Sequence, residues 1–134
     1  MAAYVPNELL SRLVGCRLDA VHFVLDHLEL HFGSPDEQIL TYLVMPCVET
    51  PDGEVYRDGR LGYADALRAL AGEEVVDTVE ATGIGLRIRL PSGTVVLHPE
   101  WDELVGPEIA SYRTQDFADW TVWRPGEDSF EDLA

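Results

Sequence analysis

The chain has no lysine: its nine basic residues are all arginine, against 25 Asp and Glu, for a formal net charge of −16. The arginines are scattered, and no basic cluster supplies the electrostatic footprint that a phosphate backbone requires, so nucleic-acid binding is excluded as an expectation. Anionic membrane surfaces are excluded on the same ground. Cysteine is scarce as well. Cys16 and Cys47 stand alone without a C-x-x-C spacing, so the expectation is two buried free thiols, with a single Cys16–Cys47 bridge as the alternative. No apolar run is long enough to span a bilayer, and the opening "MAAYVPNELL" lacks the basic region and apolar stretch of a secretory signal. The expected location is therefore the cytoplasm. Missing too are H-E-x-x-H, a nucleophile elbow around any serine and a Gly-rich phosphate cradle; "GIG" at Gly83–Gly85 is only a glycine-rich turn.

What is present is a well-stocked core. In 134 residues, 46% of them hydrophobic, one domain can bury enough apolar surface to fold without disulfides or metal. The core residues fall into two similar passages, "SRLVGCRLDAVHFVLDHLELHF" and "RALAGEEVVDTVEATGIGLRIRL". In the first, Asn7 is placed to cap a short helix carrying Leu9, Leu10 and Leu13, which stops at Gly15. In the second, Leu67 and Leu70 stand at the same offsets from Gly72 as Leu10 and Leu13 do from Gly15. After each glycine the period changes from helical to alternating, the pattern of half-buried strands.

The first passage puts Leu18 and Val21 inside, turns at Asp26 and His27, then alternates Leu28, Leu30 and Phe32 with His27, Glu29 and His31. The second puts Val75 and Val79 inside, turns at Thr82-Gly83, then alternates Leu86, Ile88 and Leu90 with Arg87 and Arg89. Third strands follow, "QILTYLVM" after a turn at Pro35-Asp36 and "TVVLH" after Ser92-Gly93. The predicted repeat unit, about 7–46 and 64–99, is a short helix with a three-stranded meander. One unit cannot cover its own greasy face, but two can cover each other. The expected fold is α+β, a mainly antiparallel curved sheet or partial barrel with two helices on its concave side, in a single domain 1–134. "CVETPDGEVYRDGRLG" reads as an exposed excursion with a small hairpin about Asp52-Gly53, 107–125 as a closing hairpin, and 126–134 as a mobile acidic tail from which Phe130 and Leu133 could dock.

Three sets of residues invite a chemical reading. His27 and His31 lie on one strand at a separation of about 13 Å, too far for one ion; His22 on the neighbouring strand could approach one of them, but no close cluster is evident, so no metal site is expected. In "HPEWDE", His98 would serve as a general base oriented by Glu100 or Asp102, with Arg87 or Arg89 at the mouth of a pocket between sheet and helices. The plainer reading of that stretch is an acidic loop with its tryptophan docked on the core. Finally, Trp101, Trp120 and Trp123 concentrate in the last third among acids. On a regular strand Trp120 and Trp123 face opposite sides, so one of them is expected to be partly exposed. Glu100, Trp101, Asp102, Glu103, Asp119, Trp120 and Trp123 together form the expected partner-binding surface.

The paired L-x-G-x-x-[LV] openings, each followed by an alternating strand pair, and the closing W-x-V-W resemble small acidic actinobacterial proteins grouped as a domain-of-unknown-function family. The resemblance spans most of the chain; it implies the helix-plus-meander fold and brings no catalytic residues. The expected function is a non-enzymatic cytoplasmic binding protein whose acidic surface engages a basic protein partner, in the manner of immunity or antitoxin proteins, with no cofactor. The alternative is a small-molecule binder or small enzyme using the His98, Arg87 and Arg89 pocket, and a homodimer through sheet edges or tryptophans is compatible with either.

Overall fold

A computed structural model describes residues 4–33 and 37–133 of the chain. The fold is mixed, mostly strand with few helices. In chain order a 3₁₀ turn (Leu10–Leu13) leads to β1 (Arg17–Val24), β2 (His27–Gly33) and β3 (Gln38–Tyr42), then β4 (Cys47–Glu49), β5 (Val55–Tyr56) and the helix α1 (Tyr63–Arg68). There follow β6 (Asp77–Ala81), β7 (Gly85–Leu90), β8 (Gly93–Leu97), a 3₁₀ turn (Trp101–Glu103), β9 (Ala110–Thr114), β10 (Trp120–Trp123) and a 3₁₀ segment (Asp128–Leu133).

The strands form two five-stranded antiparallel sheets, β1-β2-β3-β9-β10 and β5-β4-β8-β7-β6, where one continuous curved sheet or partial barrel was expected. The connections explain the division. Between the two meanders, β4 and β5 pair as the small hairpin anticipated about Asp52-Gly53, and β4 then joins the edge of β8. The closing hairpin β9–β10 returns to pair with β3. Each meander thus gains two strands on its own side.

Both sheets feed a single apolar cluster. Leu28, Leu30, Phe32, Leu40 and Tyr42 of the first meet Val48, Leu86, Ile88, Val95 and Leu97 of the second, and the helical leucines Leu10, Leu13, Leu67 and Leu70 are fully buried with them. Each such side chain contributes roughly 1.5–3 kcal/mol by leaving water. Gly15 and Gly72 have φ of 84° and 90°, the left-handed conformation that ends a helical turn and that glycine adopts without strain.

The two glycine turns are joined by reciprocal backbone hydrogen bonds. Gly15 N–H donates to Val75 O and Gly72 N–H to Leu18 O, each at 2.8 Å; Leu18 N–H donates to Glu73 O and Val75 N–H to Cys16 O, each at 2.9 Å. Exchanging the two segments turns each bond into its mate. Arg17 and Glu74 face each other at the centre as an isolated antiparallel bridge.

Several local expectations require correction. Asn7 does not cap the first helical turn; it has φ of 67° and its side chain spans to Thr78, donating to the backbone O and accepting from Oγ1. The first hairpin turns at Leu25-Asp26, one residue early, so His27 already pairs with Val24. In β6 the buried positions are Thr78 and Glu80, while Val79 is exposed, which inverts the apolar reading of that strand. In the segment 126–133 the docking open to Phe130 and Leu133 takes place: both are buried with Ser129, and Phe130 inserts into the common core, so the segment does not trail away. The predicted Pro35-Asp36 turn lies outside the described residues.

Candidate functional site

The inversion of β6 creates the most distinctive polar arrangement in the molecule. Glu80 is only 6% exposed. Its Oε1 accepts from the Asn7 backbone N–H at 2.8 Å, and its Oε2 accepts from Trp123 Nε1–H and Ser129 Oγ–H, each at 2.9 Å. The Tyr4 hydroxyl lies 2.9 Å from Ser129 Oγ and accepts from Trp123 Nε1–H at 3.3 Å. A buried carboxylate must be hydrogen-bonded to be tolerated, and these donors meet that demand. They come from the N-terminal segment, β10 and the C-terminal segment, so one side chain ties both ends of the chain to β6.

Glu80 forms part of the wall of a cleft of about 190 Å³ bounded by Tyr4, Leu9, Arg12, Asp119, Trp120 and Trp123, with Val5, Glu8, Ala118 and Thr121 completing it. At its edge Arg12 Nη1 donates to Asp119 Oδ2 at 2.7 Å. The bond to Asp119 holds the Arg12 guanidinium above even its usual range. The 3₁₀ turn carrying Arg12 is anchored from beneath: Tyr112 donates to buried Gln38, whose Nε2 donates to Arg12 O at 3.4 Å and contacts Cys16 Sγ at 3.3 Å. Burial raises the Tyr112 phenol and the Cys16 thiol above their ordinary values, so both remain neutral, as a packed support requires. Alternation along β10 leaves Trp120 half exposed and Trp123 fully buried, as strand geometry predicted.

The expected partner surface therefore divides. Asp119, Trp120 and Trp123 meet at the cleft; Glu100, Trp101, Asp102 and Glu103 do not line it. Those four form a 3₁₀ turn closed by a capping box in which Glu103 Oε1 accepts from Glu100 N–H at 2.8 Å. Trp101 is 64% exposed, not docked on the core as the plainer reading had it. Glu103 borders a separate depression with Phe23, Cys47 and Arg57.

The alternative pocket is not assembled at this cleft either. His98 Nε2 is 2.7 Å from Asp132 Oδ2, so the carboxylate facing it comes from the C-terminal segment and not from Glu100 or Asp102. Arg87 pairs with Glu49 of β4, across β8, at 2.9 Å and Arg89 approaches Asp77 of the adjacent β6 at 3.8 Å, so acids of the same sheet face both arginines. Cys16 and Cys47 are free thiols, Cys16 buried and Cys47 half-buried. Among the described residues no helix is long and apolar enough to cross a membrane.

The expectation that no compact set of metal-ligating groups forms is also corrected. Cross-strand pairing sets His22 opposite Glu29, and His31 follows two places along the same face of β2, so donor atoms of His22, Glu29 and His31 lie within 4.8 Å of one another. Sequence separation along one strand excluded His27 with His31; the pair that matters is made across strands.

Glu80 is the cleft residue that the sequence reading missed. Its signal was an acid standing in an alternating strand at a position that the strand register buries, masked by neighbouring valines that suggested the opposite face. No known protein-family model, curated protein or solved structure matches the chain.

Proposed function

We propose that the protein is a non-enzymatic binding protein that engages a basic protein partner, in the manner of an immunity or antitoxin protein, and that the cleft beside Trp120 receives a cationic side chain of that partner. The observation that carries this reading is the pairing of an exposed indole with carboxylates that have no cation of their own. Glu80 and Glu8 border the cleft, and among the described residues neither makes an ion pair. An arginine or lysine entering there would stack on Trp120 and approach Glu8 and Glu80 in a partly desolvated setting, where cation–π and charge-assisted contacts strengthen. The net charge of −16 would speed the encounter and reject acidic partners.

The reciprocal bonding of the two glycine turns supports a second part of the proposal: the halves are matching helix-plus-meander modules about a local pseudo-twofold axis, akin to the actinobacterial proteins that the sequence resembles. In that arrangement the cleft exists once, because only one module supplies a buried acid at the position of Glu80.

The test is fluorescence anisotropy with an arginine-rich peptide and an acidic peptide of equal length, at low and high salt. Only the basic peptide is expected to bind, more weakly as salt rises. Trp120→Ala should lower its affinity at least tenfold, about 1.4 kcal/mol, while Trp101→Ala leaves it unchanged. Equal loss from both tryptophan variants, or none from either, would reject the cleft as the site. Saturable binding of a free alkylguanidinium at comparable affinity would point instead to a small cationic ligand.

A further inference from the structure

We infer that the outer face of the β1–β2 hairpin is a binding site for a divalent transition-metal ion such as Zn²⁺ or Ni²⁺, held by His22, Glu29 and His31. The site arises from strand register. His22 of β1 is the cross-strand partner of Glu29, and Glu29 and His31 are alternate residues of β2, so all three side chains stand on one face. His31 Nε2 lies 3.0 Å and His22 Nδ1 lies 3.8 Å from the same Glu29 Oε1. Ligands on a tetrahedral ion at about 2.0–2.1 Å are separated by about 3.4 Å, between those two values, so small side-chain rotations bring the three atoms onto a common ion. The imidazole rings of His22 and His31 are already 4.4 Å apart between centroids.

The surroundings are those of a ligand set. Glu37 Oε1 lies 3.1 Å from His31 Nδ1, the carboxylate–histidine contact that orients a ligating ring and leaves its other nitrogen for the metal. Both nitrogens of His31 therefore face carboxylate oxygens, and a neutral imidazole has one N–H to give; an ion at Nε2 serves the second contact. His27 Nε2 stands 3.7 Å from the other oxygen of Glu29 and can steady it. Two imidazoles and one carboxylate favour borderline metals over Mg²⁺ or Ca²⁺, which prefer all-oxygen sets, and leave a fourth position for water or a partner's side chain. The three groups are open to solvent to different degrees, His22 by about half and His31 by 17%, so an ion has a route in.

Isothermal titration of the tag-free protein with Zn²⁺ and Ni²⁺ tests the assignment. One ion per chain is expected, undisplaced by a hundredfold excess of Mg²⁺. His22→Ala and His31→Ala should each weaken binding at least tenfold, and Glu37→Gln about tenfold. His98→Ala and Cys47→Ser should bind as the wild type does. Imidazole ¹H–¹⁵N spectra of the wild-type protein supply an independent readout: the His22 and His31 signals should shift on adding Zn²⁺ while that of His98 does not. Absence of saturable binding, displacement by Mg²⁺, or binding that survives both histidine substitutions would overturn the inference, and so would loss of binding on replacing Cys47.

Discussion

The β1–β2 and β6–β7 hairpins enter their sheets from glycine turns bonded to each other, and they bury matching positions: Leu28, Leu30 and Phe32 in one, Leu86, Ile88 and Leu90 in the other. They part company in their first strands and on their outer faces. Opposite Leu28 stands Phe23, about half exposed, whose ring meets Tyr63 edge-on at 6.4 Å. Opposite Leu86 stands Glu80, buried and accepting three hydrogen bonds. On the outer faces, His22, Glu29 and His31 of one hairpin correspond in register to Val79, Arg87 and Arg89 of the other. The matching frame is carried by the alternating apolar side chains, so the remaining positions are free to diverge, and both proposed sites lie where the hairpins differ. Local rules fail in natural proteins chiefly where a side chain serves something other than the frame.

The largest expected effect comes from the Phe23 and Glu80 positions. Glu80→Ala strands the Asn7 N–H without its acceptor, takes the acceptor of the Ser129 hydroxyl and leaves the Trp123 indole N–H only its longer contact to Tyr4, and should cost about 3–4 kcal/mol in urea unfolding. Phe23→Ala, at the matching place, should cost about 1 kcal/mol, because its ring is half solvated already. Equal losses would mean that the two hairpins are not differentiated as described.

A second experiment moves one outer face onto the other. Introducing Val79→His, Arg87→Glu and Arg89→His together should raise Zn²⁺ stoichiometry from one to two per chain, the new site at least tenfold tighter than any residual binding to that face, about 1.4 kcal/mol. A stoichiometry that stays at one would show that register alone does not make the site and that Glu37, present only beside β2, is required.

The smallest effect concerns the third strands. Tyr42 pairs with Leu28 as Leu97 pairs with Leu86, yet the Tyr42 hydroxyl is buried and finds no hydrogen-bond partner among the described residues. Burial raises its phenol far above the ordinary value, so it stays neutral at any working pH. Tyr42→Phe should therefore leave the fold intact and stabilise it by about 1 kcal/mol in the same urea assay. A loss of stability would reveal a partner for that hydroxyl.

Much of the frame was legible in the chain. Gly15 and Gly72 marked the ends of the helical turns, the leucine alternation marked β2 and β7, Asp52-Gly53 marked the β4–β5 hairpin, and W-x-V-W told that its two indoles would face opposite sides, though not which of them would be buried. The reading failed where a residue's role depended on something far away in sequence. Val75 is buried as expected, but Val79 outvoted Thr78 and Glu80 until the register of β6 against β7 was known, and the hydrogen bonds that make a buried glutamate tolerable come from Asn7, Trp123 and Ser129. The acidic tail looked solvated because its composition is polar, but one fully buried phenylalanine, contributing roughly 1.5–3 kcal/mol, suffices to hold it.

By itself, then, the sequence determined the elements: period-two alternation, glycines in the left-handed region and an excess of acid are properties of neighbouring residues, and they set strands, turns and the sign of the surface. Only the tertiary structure decided the sites. Cross-strand register placed His22 against Glu29, and the return of both chain ends to β6 gave Glu80 its donors. Such contacts join residues far apart along the chain, and their free energy depends on distance in space, which no local pattern encodes.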